Sequence, residues 1–325
     1  MKHLGPYIAR RLGQGVITIA AIIVLNFVIL HLAPGDTVDL LAGEFGAGDP
    51  EYLAQLRSEF GLDQPMLVQL GQYFLNILQL DLGYSYRNAT PVLDLIMSRL
   101  PATMILMLTT IVIAFTSGLL LGVLSARRVN TWTDDLISVV ALLCYATPLF
   151  WLGLMGIVLF SVTLGLLPTG GMYTIGGRFT VWQSTLDVMW HLILPASTLA
   201  VYHMAIYTRL MRASMLEVYN LDFIRTARSK GLHKGRIAFR HVLPNAILPM
   251  VTMLGVQVGT LLGGAVMIET VFNWPGLGRL AFDAVFQRDY NLLLGTVIFA
   301  STLVVVINIL TDLLYAVLDP RIEVQ

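Results

Sequence analysis

Few residues in this chain of 325 could carry out covalent chemistry, and their spacing does not bring them together. The single cysteine, Cys144, lies inside an apolar stretch with no second Cys or His at metal-ligand spacing. It reads as a small buried apolar residue. The histidines are scattered, so no metal centre is expected, and neither H-E-x-x-H nor a Ser/His/Asp grouping falls on one helix. No G-x-x-x-x-G-K-[ST] loop is present to cradle phosphates, so any ATP chemistry must belong to another chain. The remaining polar candidates sit within otherwise apolar runs: Asn26, His31, His191, His203, Arg209, Gln257, Glu269, Asn308 and Asp312. Such residues are costly in lipid. Most fall near expected helix ends, where they could reach water or bond to a neighbouring helix; some could line a hydrated path.

The elements that position these residues follow from composition. Apolar residues make up 56% of the chain and charged residues 12%, and the mean hydropathy is +0.75. Soluble domains carry about 25% charged residues, so this much apolar surface calls for lipid. Leu12 to Ala33 follows Arg10-Arg11 but is longer than a signal-peptide core and lacks a small-residue cleavage pattern, so it reads as an uncleaved first span. Further spans are predicted over 101–124, 134–165, 190–212, 245–269 and 291–317. The third contains Pro148 and should be kinked or partly interfacial. The fourth, with His191, Pro195 and His203, is the least apolar. The expected fold is all-α: a polytopic membrane protein with six transmembrane helices. Of the 20 basic residues, 14 fall on one side if the N-terminus is cytoplasmic, which favours N-in and C-in. Zero net charge gives no sign of nucleic-acid binding.

Three regions result: 1–33 with the first helix, an outer subdomain over 34–100, and a core over 101–325. The outer stretch contains nine acidic and three basic residues, interspersed with Leu, Tyr and Phe. It reads as a small ordered subdomain, with a short helix expected from Pro50 to Phe60. On the other side, 213–244 forms a basic platform. Asn220 reads as an N-cap, Asp222 as a first-turn acid and Gly231 as a helix stop. Phe223, Ile224 and Ala227 should form the apolar side, and Arg225 and Arg228 a basic one. A second short helix is expected from about Lys234 to Leu243, ahead of Pro244. A basic loop that only sets orientation is the alternative, but it does not account for the stop at Gly231 or for Pro244 and Pro249.

Two further patterns stand out. Gly255, Gly259 and Gly263 recur every four residues, with Gly264 beside them, and Gly118 and Gly122 repeat the spacing. Such a face lets helix backbones approach, either within one subunit or as a seam against a partner along a translocation path. Trp274-Pro275-Gly276-Leu277-Gly278 is turn chemistry: Trp suits the membrane interface, Pro and Gly a sharp reversal. It reads as a structural re-entrant turn, with a gate or docking role as the alternative.

The string Asp222-Phe-Ile224-Arg225-Thr226-Ala227-Arg228-Ser-Lys230-Gly231-Leu232, followed by His241-Val-Leu243-Pro244-Asn245-Ala246-Ile-Leu-Pro249, resembles the EAA signature of ABC-transporter permease subunits. It departs from the general signature at Arg225, Thr226 and His241 and is closest to the dipeptide/oligopeptide/nickel branch. Pro34-Gly35-Asp36, Thr147-Pro148-Leu-Phe150-Trp151, Glu269-Thr270 through Leu280, Arg288-Asp289-Tyr290 and the tail Asp312 to Arg321 resemble that branch as well. Asn291 stands where the family usually has Pro. The resemblance implies a permease subunit of an ATP-driven importer in the bacterial inner membrane, not an enzyme. It implies a homologous second permease, two ATP-binding subunits that hold the ATP and Mg, and an extracytoplasmic solute-binding protein. Di- or oligopeptides are the implied cargo, with nickel chelates, glutathione or oligosaccharides as alternatives. The outer subdomain would meet the binding protein or cap the path. Asp222, Ile224, Arg225, Thr226, Ala227, Arg228, Lys230, Gly231, Leu232, Leu243 and Pro244 would couple to the ATPase. An ion-coupled secondary transporter is the rival, but no internal repeat supports it.

Overall fold

The computed structural model describes residues 4–32, 58, 63–177 and 179–318. The expected helix from Pro50 to Phe60 and most of the outer stretch around it lie outside the described residues. Along the chain run α1 (Leu4–Leu32), α2 (Met66–Leu78), a two-stranded hairpin of β1 (Tyr84–Ser85) and β2 (Thr90–Pro91), α3 (Val92–Arg127), α4 (Trp132–Ala146) and α5 (Leu149–Gly156), which continues as a π-helical stretch, Ile157–Thr163. Then come α6 (Val181–Tyr219), α7 (Asp222–Ser229), α8 (Lys234–Ile237), a π-helical turn (Ala238–Val242), α9 (Leu243–Ala246), α10 (Leu248–Val271), α11 (Leu277–Gln287) and α12 (Tyr290–Leu318).

Among the described residues five helices are long and apolar enough to cross a membrane, and a sixth span results if α4 and α5, with its π-helical continuation, count as one. That pair bends by 104° at Thr147–Pro148. Proline lacks the N–H a continuing helix needs, and it drives the preceding residue out of the helical region; Thr147 is extended (ψ 132°). Two helices are longer than their apolar runs. α3 begins at Val92, not at 101, and passes through Pro101. α6 covers 39 residues, against 23 expected, or about 58 Å at 1.5 Å per residue, nearly twice the hydrocarbon thickness. Its start is fixed by a capping box: Thr180 Oγ1 accepts from Gln183 N, and Gln183 Oε1 accepts from Thr180 N.

The described residues divide into two compact units, one from 4–98 and 283–309, the other from 99–282 and 310–318. In the first, α1 and α2 meet through Phe27 and Tyr73, ring centroids 5.9 Å apart, and through His31 and Gln69 at 3.1 Å. The hairpin is pinned to the start of α12. Asp289 caps that helix, accepting Leu292 N at 3.0 Å, and it also accepts the hydroxyl of buried Ser85. Asn291 donates its amide to Tyr84 O at 3.2 Å, a bond proline could not make.

In the second unit the core gathers Tyr207, Met211, Met215 and Val218 of α6 with Ala114, Val123 and Ala126 of α3 and Met250 of α10. Gly118 and Gly122 let α3 and α6 touch at backbone distance. A Cβ at Gly122 would lie 2.5 Å from Met211 Cβ and 2.8 Å from Thr208 O. Gly122→Ala is therefore expected to lower stability by about 1–3 kcal/mol, the usual effect of overpacking. Gly13→Ala, where nothing described lies within 4 Å, should be neutral or slightly stabilising. Denaturant unfolding of the two variants in detergent compares them directly.

Candidate functional site

The platform between α6 and α10 is built from α6 downwards. α6 ends at Tyr219, with Asn220 as its C-cap; Leu221 is the N-cap of α7. Asn220 therefore does not cap α7, as its residue type suggested. Its amide instead donates to Leu216 O at 3.1 Å, one turn back. α7 turns Ile224 (fully buried) and Ala227 into the core, against the α6 and α3 residues named above. Phe223 does not join them; it is 44% exposed. Ile224 and Ala227 are three residues apart and share a face, whereas Phe223 is offset by about 100° from Ile224.

Asp222, Arg225, Thr226, Arg228 and Lys230 form the outward face. Arg225 lies 3.3 Å from Asp222 across one turn, and the Arg228 guanidinium sits over the Tyr219 ring. The helix stops at Gly231, whose φ of +72° is open chiefly to glycine, and whose N–H donates to Arg228 O at 2.9 Å. Leu232 and Leu243 are partly buried against the same core, and Pro244 is exposed at the first turn of α9. His233 starts α8 by accepting Gly235 N. The expected helix over Lys234–Leu243 is present, with its middle turn, Ala238–Val242, π-helical, and it runs on into the apolar stretch as one candidate span, Lys234–Gly255.

The turn after α10 forms a second constellation. Glu269 is fully buried, not near water as its place at the end of an apolar run suggested. Its Oε1 accepts the Thr103 hydroxyl at 2.7 Å and its Oε2 the Arg279 N–H at 3.0 Å. Thr103 Oγ1 in turn accepts Leu277 N at 2.8 Å. The carboxylate thus satisfies the start of α11, where N–H groups lack helical partners. Gly276 and Gly278 make this possible: a Cβ at Gly276 would overlap the Glu269 carboxylate, and one at Gly278 would lie 2.6 Å from Val266 Cα. Trp274 is fully buried, contrary to the interfacial position its type suggested, and donates Nε1–H to Ala102 O at 2.9 Å. An indole N–H taken from water needs such a partner. Pro275 stands between these residues in the reversal.

The glycine face of α10 divides. Gly264 meets Leu199 and Leu149, whereas nothing described lies within 4 Å of a Cβ at Gly263. Gly255 is buried and Gly259 partly so. Nearby, His203 and Gln257, both buried, meet at 3.1 Å; Gln257 Oε1 also accepts Thr260 Oγ1 at 2.7 Å. Asn26 and His191 are likewise buried; each bonds to the carbonyl four residues back. The side chain of Asp312 lies outside the described residues.

One further pair escaped sequence reasoning. Arg212 grips Asp134 through both nitrogens of one edge, Nε to Oδ1 at 2.7 Å and Nη2 to Oδ2 at 2.8 Å. Asp134 is buried at the start of α4 and also accepts the Ser125 hydroxyl and the Asn130 N–H. The two residues lie 78 apart in sequence, and neither carries a local signal for the other.

No catalytic constellation occurs among the described residues, and no group of His, Cys, Asp or Glu could hold a metal. Apart from one short hairpin, the described residues form helices, five of them of membrane-crossing length, with a structured polar platform after α6. Residues 118–324 match the family described as binding-protein-dependent transport system inner membrane component, and 5–107 match its N-terminal region. The chain belongs to that family. It is 42% identical to the oligopeptide transport system permease AppB of Bacillus subtilis over 98% of its own length and 100% of that protein's. It is 40% identical to the dipeptide transport system permease DppB of Escherichia coli over 98% of both chains. Among solved structures it resembles a chain of the inward-facing MetNI methionine ABC transporter, with 18% identity, a TM-score of 0.55, and coverage of 69% of this chain and 96% of that one. Family membership makes it one part of a transporter that works with ATP-binding and substrate-binding components.

Glu269→Ala should leave the α11 N–H groups and the Thr103 hydroxyl without their acceptor. A loss of about 1–3 kcal/mol is expected for such buried groups, read as a lower unfolding midpoint of the detergent-solubilised protein.

Proposed function

We propose that this chain, paired with a homologous second permease, forms the path for di- or oligopeptides in an ATP-driven importer. α7 and the loop through Gly231 act as the coupling element that docks on an ATP-binding subunit. Two such subunits hold the ATP and Mg, and a solute-binding protein delivers cargo from outside. The chain is oriented N-in and C-in, so the basic platform meets the ATPases.

The observation that carries this reading is the two-sidedness of α7. Ile224 and Ala227 are sunk into the bundle while Asp222, Phe223, Arg225, Thr226, Arg228 and Lys230 face outward. A short helix clamped on one face moves with the bundle when the other face is pushed, as a two-state element requires. The peptide cargo draws support from the names of the relatives, dipeptide and oligopeptide permeases. The open Gly263 position supports a seam on α10 against the second permease.

The test is reconstitution of the full complex in vesicles, followed by ATP-dependent uptake of a labelled dipeptide and a labelled pentapeptide. Peptide accumulation that requires ATP and the binding protein is expected. Uptake of nickel chelates, glutathione or oligosaccharides in place of peptides would replace the cargo; uptake driven by an ion gradient without ATP would remove the importer reading. Ala227→Asp puts a charge in the core beneath α7, and Gly231→Pro demands φ near −65° where the chain has +72°. Both variants are expected to insert in the membrane yet lose uptake and binding-protein-stimulated ATP hydrolysis. Unchanged uptake in both would remove the coupling role.

A further inference from the structure

α4 packs along α6 by one face, with Asp134 and Ala141 its only buried residues. Leu136, Val139, Val140, Leu142 and Leu143 are all at least 44% exposed. Two specific side-chain contacts mark the ends of that packing. At its start Asp134 holds Arg212 by the two-pronged ion pair. At its end Tyr145 stacks on Tyr202, with centroids 5.2 Å apart and planes within 17°. The two helices are therefore antiparallel, with one polar and one aromatic tie. The polar tie lies seven residues before α6 ends at Tyr219, or about 10 Å. Beyond it only Asn220 and Leu221 precede α7. In the other direction α4 leads into the 104° bend and α5.

We propose that the Asp134–Arg212 ion pair is the joint through which displacement of the coupling segment 222–231 reaches the bent α4–α5 arm. The inference rests on the coupling reading of α7 given above. α6 is continuous through Arg212 to Tyr219, and α7 is clamped to its final turns by Ile224 and Ala227, so a push on α7 moves Arg212. A planar guanidinium held at two points fixes direction as well as distance, which a single-point contact would not. Ser125 and the Asn130 N–H hold the Asp134 carboxylate from the other side, so the turn between α3 and α4 follows the same movement. Asp134 and Arg212 are positioning residues: they act through the helices they join and touch no cargo.

The experiment uses the complete reconstituted complex and reads the ratio of labelled dipeptide transported to ATP hydrolysed. Arg212→Lys keeps the charge without the fork. Asp134→Leu combined with Arg212→Met removes both charges and leaves no unpaired ion. Both are expected to lower the ratio about tenfold, within the range of coupling between linked sites, while ATP hydrolysis persists. The swap Asp134→Arg with Arg212→Asp should recover part of the loss. If uptake and hydrolysis instead fall together, in proportion to the complex assembled, the pair only stabilises the fold and the proposal is overturned. An unchanged ratio in both variants also overturns it. Ala227→Asp, measured alongside, separates the two ideas. Loss of coupling in Ala227→Asp with a normal ratio in the ion-pair variants removes the joint and leaves the coupling element standing. Normal coupling in all of them removes both.

Discussion

A carboxylate taken out of water has to be met by donors, because neither lipid nor apolar side chains can replace its hydration. Among the described residues, three buried carboxylates meet that requirement at the start of a helix. Asp289 caps α12 and holds the hairpin through Ser85. Glu269 accepts the Arg279 N–H in the first turn of α11 and the hydroxyl of Thr103, which itself accepts the Leu277 N–H. Asp134 takes both prongs of Arg212, together with Ser125 and Asn130. Long apolar helices can slide past one another with little penalty, since lipid tails are as apolar as leucine. Directional polar contacts of this kind, made within each compact unit, set the register of the helices they join.

The gross plan was legible because it rests on composition and apolar length. Six apolar runs, the break at Pro148 and the stop at Gly231 can each be read from residues whose backbone behaviour is nearly context-free. The length of α6 was not. An apolar window reports the part that lipid would cover, and α6 continues past it because nothing between Val181 and Tyr219 breaks a helix except Pro195, which the surrounding bundle absorbs. Its least apolar stretch is also among the most enclosed. His191 and His203 face protein, and low hydropathy there marks interior contacts, not a weak span.

Within the platform the spacing located α7, but residue type misassigned Asn220 and Phe223. A capping residue can serve the helix behind it as well as the one ahead, and one position of offset moves a large apolar side chain from core to surface. Glu269, Trp274 and Asp134 were obscure for a shared reason. Each owes its burial to a partner 78 to 172 residues away in sequence, and no local pattern announces such a partner. The close packing of Gly118 and Gly122 was legible as spacing, but their opposing surface on α6 was not.

The burial of Trp274 has a spectroscopic consequence. Of the five tryptophans, Trp132, Trp151, Trp182 and Trp190 are between 47% and 73% exposed, whereas Trp274 is fully enclosed. Collisional quenchers dissolved in buffer or in bilayer can reach the first four and are kept from the fifth. The residual emission left after quenching therefore belongs to a single indole, tethered to the carbonyl of Ala102. Its intensity offers a built-in optical readout of whether that turn stays closed while the transporter cycles.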